Sequence, residues 1–186
     1  MRVPALVCSL LALGCSSPDN LVVGGVLGDG MVPNATIATV GSAVSGLGTV
    51  TDVDGNSSPR ALVLLSDQAD LCAALEANPQ LLGAPTSEFV VLALAVPAGM
   101  LGTFYPGSSN TEAGLFASAA PASNVYAYPG VSGTVALTEF DSLAQGTFDI
   151  EFADSTSTEV EVYGQFKAGR CDAIATAYIP EVVLGE

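Results

Sequence analysis

The chain has 186 residues, 19 acids against four cations and no histidine, for a formal net charge of −15. That charge repels phosphate backbones, excludes nucleic acid as a partner and gains nothing from an anionic lipid surface. With 49% apolar and only 12% charged residues, the chain is too rich in core-forming side chains for a disordered segment, and its length suits one domain with a real core.

The chain opens with Met-Arg-Val-Pro-Ala-Leu-Val-Cys-Ser-Leu-Leu-Ala-Leu-Gly-Cys. One positive charge, Arg2, precedes an apolar run that ends at Gly14-Cys15. The run falls short of the ~20 apolar residues that a bilayer span needs, and its layout is that of a secretion signal. Leu11-Ala12-Leu13-Gly14-Cys15 resembles a lipobox, the sequence at which a bacterial lipoprotein is lipidated on cysteine and cleaved before it. The resemblance implies a signal peptide over residues 1–14, a lipid on Cys15, and the membrane as partner through that anchor. Ser16 stands where an inner-membrane retention signal would place aspartate, so the same resemblance favours the outer membrane. The plainer alternative is an ordinary secretory signal with an incidental Cys15. Loss of residues 1–14 removes Arg2 and no acid, leaving Arg60, Lys167 and Arg170 as the cations.

Residues 15–34 are rich in Ser, Gly, Pro and Asp and read as a flexible tether, with Leu21-Val22-Val23 as a possible short strand within it. Residues 35–186 read as the folded domain. Thr36 to Val44 and Gly48 to Val53 are candidate strands, followed by an Asp52-Val53-Asp54-Gly55-Asn56 turn in which glycine and asparagine supply positive φ cheaply. Ala61 to Leu65 is a continuous apolar strand. The one helix runs from Asp67 to about Ala77, capped by Ser66 or Asp67, with Leu71, Cys72 and Leu75 on one face and Asn78-Pro79 ending it. Phe89 to Val96 is a second buried strand, too short and proline-terminated for a membrane helix. Leu101 to Tyr105, Ala113 to Ala119 and Asn124 to Tyr128 are further strand candidates.

The last third gives the clearest pattern: Gly133 to Phe140, Gly146 to Phe152, Thr158 to Ala168 and Ala173 to Tyr178 read as successive strands. Phe148, Ile150 and Phe152 alternate with Thr147, Asp149 and Glu151. Val160, Val162 and Phe166 alternate with Glu159, Glu161, Tyr163, Gln165 and Lys167. One apolar and one wet face is the signature of an antiparallel sheet covered on one side. Many short strands with regular turns predict a mainly β fold, an antiparallel β-sandwich with one short helix.

Four cysteines are present. Cys8 lies in the signal and Cys15 is the lipidation candidate, so Cys72 and Cys171 remain as one possible pair. An exported chain occupies an oxidising compartment where such a pair bonds. The loop it closes, about a hundred residues, is worth roughly 4.7 kcal/mol in the chain-entropy account. A redox or zinc role lacks both a Cys-x-x-Cys spacing and a histidine.

The segments Gly133-Thr-Val-Ala-Leu-Thr, Gly146-Thr-Phe-Asp-Ile-Glu-Phe and Gly164-Gln-Phe-Lys-Ala-Gly-Arg-Cys171, with Leu71-Cys72 at the start of a helix, resemble uncharacterised lipoproteins of myxobacterial type. In those a Gly-x-Phe-x-Ala…Cys strand closes a β domain. The resemblance covers roughly Ala61 to Asp172 and implies an outer-membrane lipoprotein; it carries no activity.

Catalytic chemistry finds little material. Without histidine no Ser-His-Asp or Cys-His arrangement exists, and Gly24-Gly25…Gly28…Gly30 is no phosphate loop because no helix follows it. Asp149, Glu151, Glu159 and Glu161 could in principle serve as paired carboxylates of a hydrolase, but read better as a solvated acidic face. The expectation is a non-enzyme without a required cofactor. Calcium is the alternative: Asp52, Asp54 and Asn56 occupy the first, third and fifth positions of an EF-hand-like loop. Gly55 stands at the fourth position, not the sixth, and Val63 replaces the twelfth-position glutamate, so a plain turn is the simpler reading. Phe104-Tyr105 and Tyr126-Tyr128 could line a sugar or peptide site, or pack the core as strand residues. The expected role is structural or binding, towards an unidentified protein or glycan of the envelope.

Overall fold

The computed structural model describes residues 20–24, 37, 39–51, 55–108, 110–118, 125–153 and 159–180. The signal segment, Cys15, Asp52 and Asp54 lie outside these residues. The elements run β1 (Leu21–Gly24), β2 (Ser42–Thr51), β3 (Ser57–Ser66), α1 (Leu71–Ala77), β4 (Phe89–Pro97), β5 (Gly102–Phe104), β6 (Glu112–Ser118), β7 (Tyr126–Phe140), β8 (Leu143–Ala153), β9 (Glu159–Arg170), a 3-10 turn (Asp172–Ala175) and β10 (Ile179–Pro180).

Among the described residues the chain is mainly β, with one α-helix and one disulfide, as its sequence predicts. The expected two antiparallel sheets are replaced by one mixed sheet. Antiparallel pairs link β2–β3, β3–β4, β4–β6, β6–β7, β7–β8 and β8–β9. β9 then returns beside β2 in parallel, through Val44↔Gly169 and Ser45↔Arg170. The pairings close into a ring of seven strands. The free lengths of this seam are used too: β1 pairs antiparallel with Val162 to Gln165 of β9, and β10 runs parallel to Val50 and Thr51 of β2. Alternation in sequence reports which face of a strand is buried. It cannot tell a second sheet from the far wall of the same sheet, which is why a sandwich and a ring read alike.

The interior of the ring is filled. Val63, Leu65, Leu92, Leu94, Leu115, Val135, Leu137, Phe148, Ile150, Phe152, Val162 and Phe166 form one cluster drawn from all around it. A second cluster lies outside, over β2, β3, β4 and β6. There Leu62, Leu64, Val91 and Phe116 meet Leu71 and Leu75 of α1, Leu81, Leu82 and Ile174 of the 3-10 turn. β3 and β4 are therefore buried on both faces, which explains their unbroken apolar runs.

Four expected elements differ. Asn124 to Tyr128 and Gly133 to Phe140, read as separate strands, belong to the one strand β7, which runs on through Pro129 to Ser132 with an irregularity between Gly130 and Ser132. The break expected between Val44 and Gly48 is absent, and β2 is continuous. Gly46 and Gly48 serve packing there: a Cβ on Gly46 would come within 2.9 Å of the Cys171 carbonyl, and one on Gly48 within 2.8 Å of the Ile174 carbonyl. The 3-10 turn thus sits directly on the β2 backbone. Ala173 to Tyr178, read as a strand, forms that turn instead. Alternating Ala-Ile-Ala-Thr-Ala mimics a strand in pattern, but the turn has one buried isoleucine to seat and the Cys171 bond to reach. Finally, α1 begins at Leu71 and neither Ser66 nor Asp67 caps it. Ser66 Oγ accepts the Gln68 amide at 3.0 Å, and Asp67 Oδ1 accepts the Val90 amide at 2.9 Å, so both hydroxyl and carboxylate bind the β3–β4 crossover. The Leu71 amide donates to Ser42 Oγ at 3.2 Å.

Candidate functional site

Cys72 and Cys171 are bonded, with Cα atoms 5.8 Å apart across 99 residues. The bond joins α1 to the end of β9. Beside it, the Cys171 amide donates to the Ser45 carbonyl at 2.8 Å, and the Ser45 hydroxyl donates to the Ala168 carbonyl at 3.1 Å. The disulfide therefore staples the outer layer to the ring at its parallel seam.

The candidate carboxylates stand on the outer faces of β8 and β9. Glu151 lies directly opposite Glu161, and Asp149 opposite Tyr163. The Ser132 hydroxyl donates to Glu151. All of these acids are exposed. Among the described residues no group of three or more His, Cys, Asp or Glu is placed to hold a metal ion. Asn56, the described member of the Asp52, Asp54 and Asn56 set, is exposed and follows Gly55, whose φ of 83° is the positive value the turn called for.

The aromatic candidates separate. Tyr128 points into the ring and is buried with Phe152 and Ile150 in the inner cluster, with Phe104 packed against the same cluster. Tyr105 is exposed. Tyr126 is half-buried against the inner cluster too, and also lines an open depression of about 520 Å³ with Leu82, Phe116, Val125, Tyr178 and Pro180. Tyr178 is set by two local contacts: its amide donates to the Pro79 carbonyl at 2.7 Å, and its ring lies over Gly83, where a Cβ would come within 2.9 Å of it. The lining is aromatic and aliphatic with two phenol groups. Such a surface stacks and hydrogen-bonds, and suits binding more than bond-breaking. Sequence reading did not find Tyr178 or Leu82, because they reach Tyr126 from the α1 layer and the C-terminal segment. The only local signal was glycine at position 83, which lets a ring close over the backbone.

Arg60 is the one buried cation among the described residues. Its Nη2 meets Glu112 Oε1 at 3.5 Å and its Nη1 donates to the Pro59 carbonyl at 3.1 Å. This pair joins β3 to β6, two strands apart in the ring, and is structural in position.

No protein-family model, no curated protein and no solved structure matches this chain.

Proposed function

We propose that the chain is a lipid-anchored lipoprotein of the bacterial envelope or surface, held in the outer membrane by Cys15. Its ring domain performs a non-catalytic structural or binding role, with the Tyr126–Tyr178 depression as the contact surface for a protein or glycan. The observation that carries the reading is Leu11-Ala12-Leu13-Gly14-Cys15 ahead of a domain closed by a disulfide. A bonded pair of cysteines fits an oxidising compartment beyond the cytoplasm. The sides of the strands fit a domain that stands in water on an anchor: apolar residues fill the ring, while β8 and β9 turn Thr147, Asp149, Glu151, Glu159 and Glu161 outward. A membrane-spanning barrel has the reverse arrangement, lipid-facing apolar residues outside and polar ones within. No helix among the described residues is long and apolar enough to cross a membrane.

The test is an intact mass of the protein from native membranes, with and without reduction and alkylation. A chain beginning at Cys15 with added acyl mass, which takes up alkylating agent at two thiols only after reduction, is the expected result. An unlipidated chain would refute the anchor.

A further inference from the structure

The pairing of β1 shortens the tether. Residues 15–34 read as a long flexible lead, yet Leu21 to Gly24 are bound along β9, and Asn20 Oδ1 accepts the Lys167 amide at 2.8 Å. From Cys15 to Asn20 the chain can extend at most about 18 Å. A domain of this length has a radius of gyration of about 15 Å, so a lipid on Cys15 leaves it no room to turn over. The face nearest Asn20 must lie against the bilayer.

What stands at that face follows from the register. Gly102 of β5 pairs Leu137 of β7, Leu137 pairs Gly146 of β8, and Gly146 pairs Phe166 of β9, next to the residue that Asn20 holds. The segment just before β5 therefore lies towards the same strand ends as Asn20, five residues along the chain from Cys15. That segment carries Met100 and Leu101, 55% and 58% exposed, and Tyr105 at 59% follows β5. These are the three most exposed large apolar side chains among the described residues. Gly99 and Gly102, with φ of 76° and 133°, turn the backbone on either side of the pair. Phe104 is packed on the inner cluster and fixes the base of the tip.

We propose that Met100 and Leu101 enter the interface of the membrane that holds Cys15, so that anchor and tip together fix the domain's orientation. The inference rests on lipidation of Cys15. The occupant is the bilayer itself, because the tip lies at the same strand ends as Asn20, which is only five residues from Cys15. With 19 acids in the chain, attraction to anionic headgroups cannot supply the contact, and apolar insertion is the interaction that remains.

The chain contains no tryptophan, so a single introduced one reports its own surroundings. Leu101→Trp is compared with Tyr163→Trp, an exposed position on the β9 wall. Each variant is purified from membranes with its Cys15 lipid verified by mass, then reconstituted into phosphatidylcholine vesicles with or without brominated acyl chains. Tryptophan at 101 should shift to the blue and lose intensity to the bromolipid, while tryptophan at 163 keeps its aqueous emission. Verified lipid, co-flotation with the vesicles and an unchanged spectrum at 101 would overturn the insertion and leave the anchor standing. Equal quenching at both positions would overturn the fixed orientation. A chain without lipid that fails to float would remove the anchor, and this inference with it.

Discussion

The wall formed by β2, β3, β4 and β6 and the wall formed by β8 and β9 belong to one ring and solve opposite problems. In β3 and β4 successive residues face different cores: Val63 and Leu65 point inward, Leu62 and Leu64 outward under α1. In β8 the inward Phe148, Ile150 and Phe152 alternate with water-facing Thr147, Asp149 and Glu151. Along β4, β6 and Arg60 to Ser66 of β3 the first wall has no exposed residue and needs a cover, although Leu47 and Thr49 of β2 meet water; the second wall needs none. The cover is a short helix, a 3-10 turn and the residues after α1, too little structure to hold itself in place. The disulfide and the two glycines of β2 fasten it down. An inner core that closes on itself and an outer core that depends on a staple are thus expected to respond differently to the same perturbation.

The staple separates them most. Replacing both cysteines, C72A with C171A, should cost about 2–5 kcal/mol in chemical denaturation. Amide exchange should rise in α1 and the 3-10 turn well before it rises in β8 and β9; uniform loss of protection would show that the two cores are one cooperative unit. Next in size is an outward truncation on each wall. Leu64→Ala should cost about 2–5 kcal/mol, as any buried leucine does, whereas Thr147→Ala on β8 should stay within about 0.5 kcal/mol. Equal effects would deny the outer cluster the standing of a core. Arg60→Met removes the buried cation and leaves Glu112 without that partner, both residues belonging to the first wall. A loss of about 1–3 kcal/mol is expected, with recovery of part of it in the R60M, E112Q pair. The smallest effect lies on the open wall. Glu161→Gln relieves the like charges at Glu151 and Glu161 and should raise stability by roughly 0.2–1 kcal/mol at low salt, an increment that shrinks as salt is added. If millimolar calcium raises the melting temperature of the original protein and not of this variant, the acidic ladder, rather than the Asp52 and Asp54 turn, is where a cation acts.

The same contrast explains what the sequence made legible. β8 and β9 were readable nearly residue by residue, because one wet face imprints a period of two. β3 and β4 were readable as buried runs, but nothing in a run such as Ala-Leu-Val-Leu-Leu says what covers its second side. The disulfide could be assigned because removal of Cys8 and Cys15 left one pair. The closure of the sheet was hidden, since the parallel contact of Val44 and Ser45 with Gly169 and Arg170 rests on backbone bonds at small residues that carry no pattern. Of the aromatic candidates, Tyr126 and Tyr128 stand two apart and share a face: both pack on the inner cluster, and Tyr126, half-buried at the strand's first residue, also lines the depression. Tyr178 was invisible because its place depends on a turn that its own neighbours disguise as a strand.

The parallel seam also orders events in time. β2 and β9 meet across more than a hundred residues, and pairings of that separation form slowly because the intervening chain must first be brought together. A polypeptide synthesised from its N-terminal end presents β2, β3 and β4 long before β9 arrives. Until then β2 has one unpaired edge, β8 will have another, and the outer face of β3 lacks the turn and the cysteine that complete its cover. Open edges of this kind recruit other chains. Residues 159–180 thus act as a clasp: their arrival ends the interval in which the nascent domain is vulnerable to aggregation, and the Cys72–Cys171 bond then locks the finished ring shut.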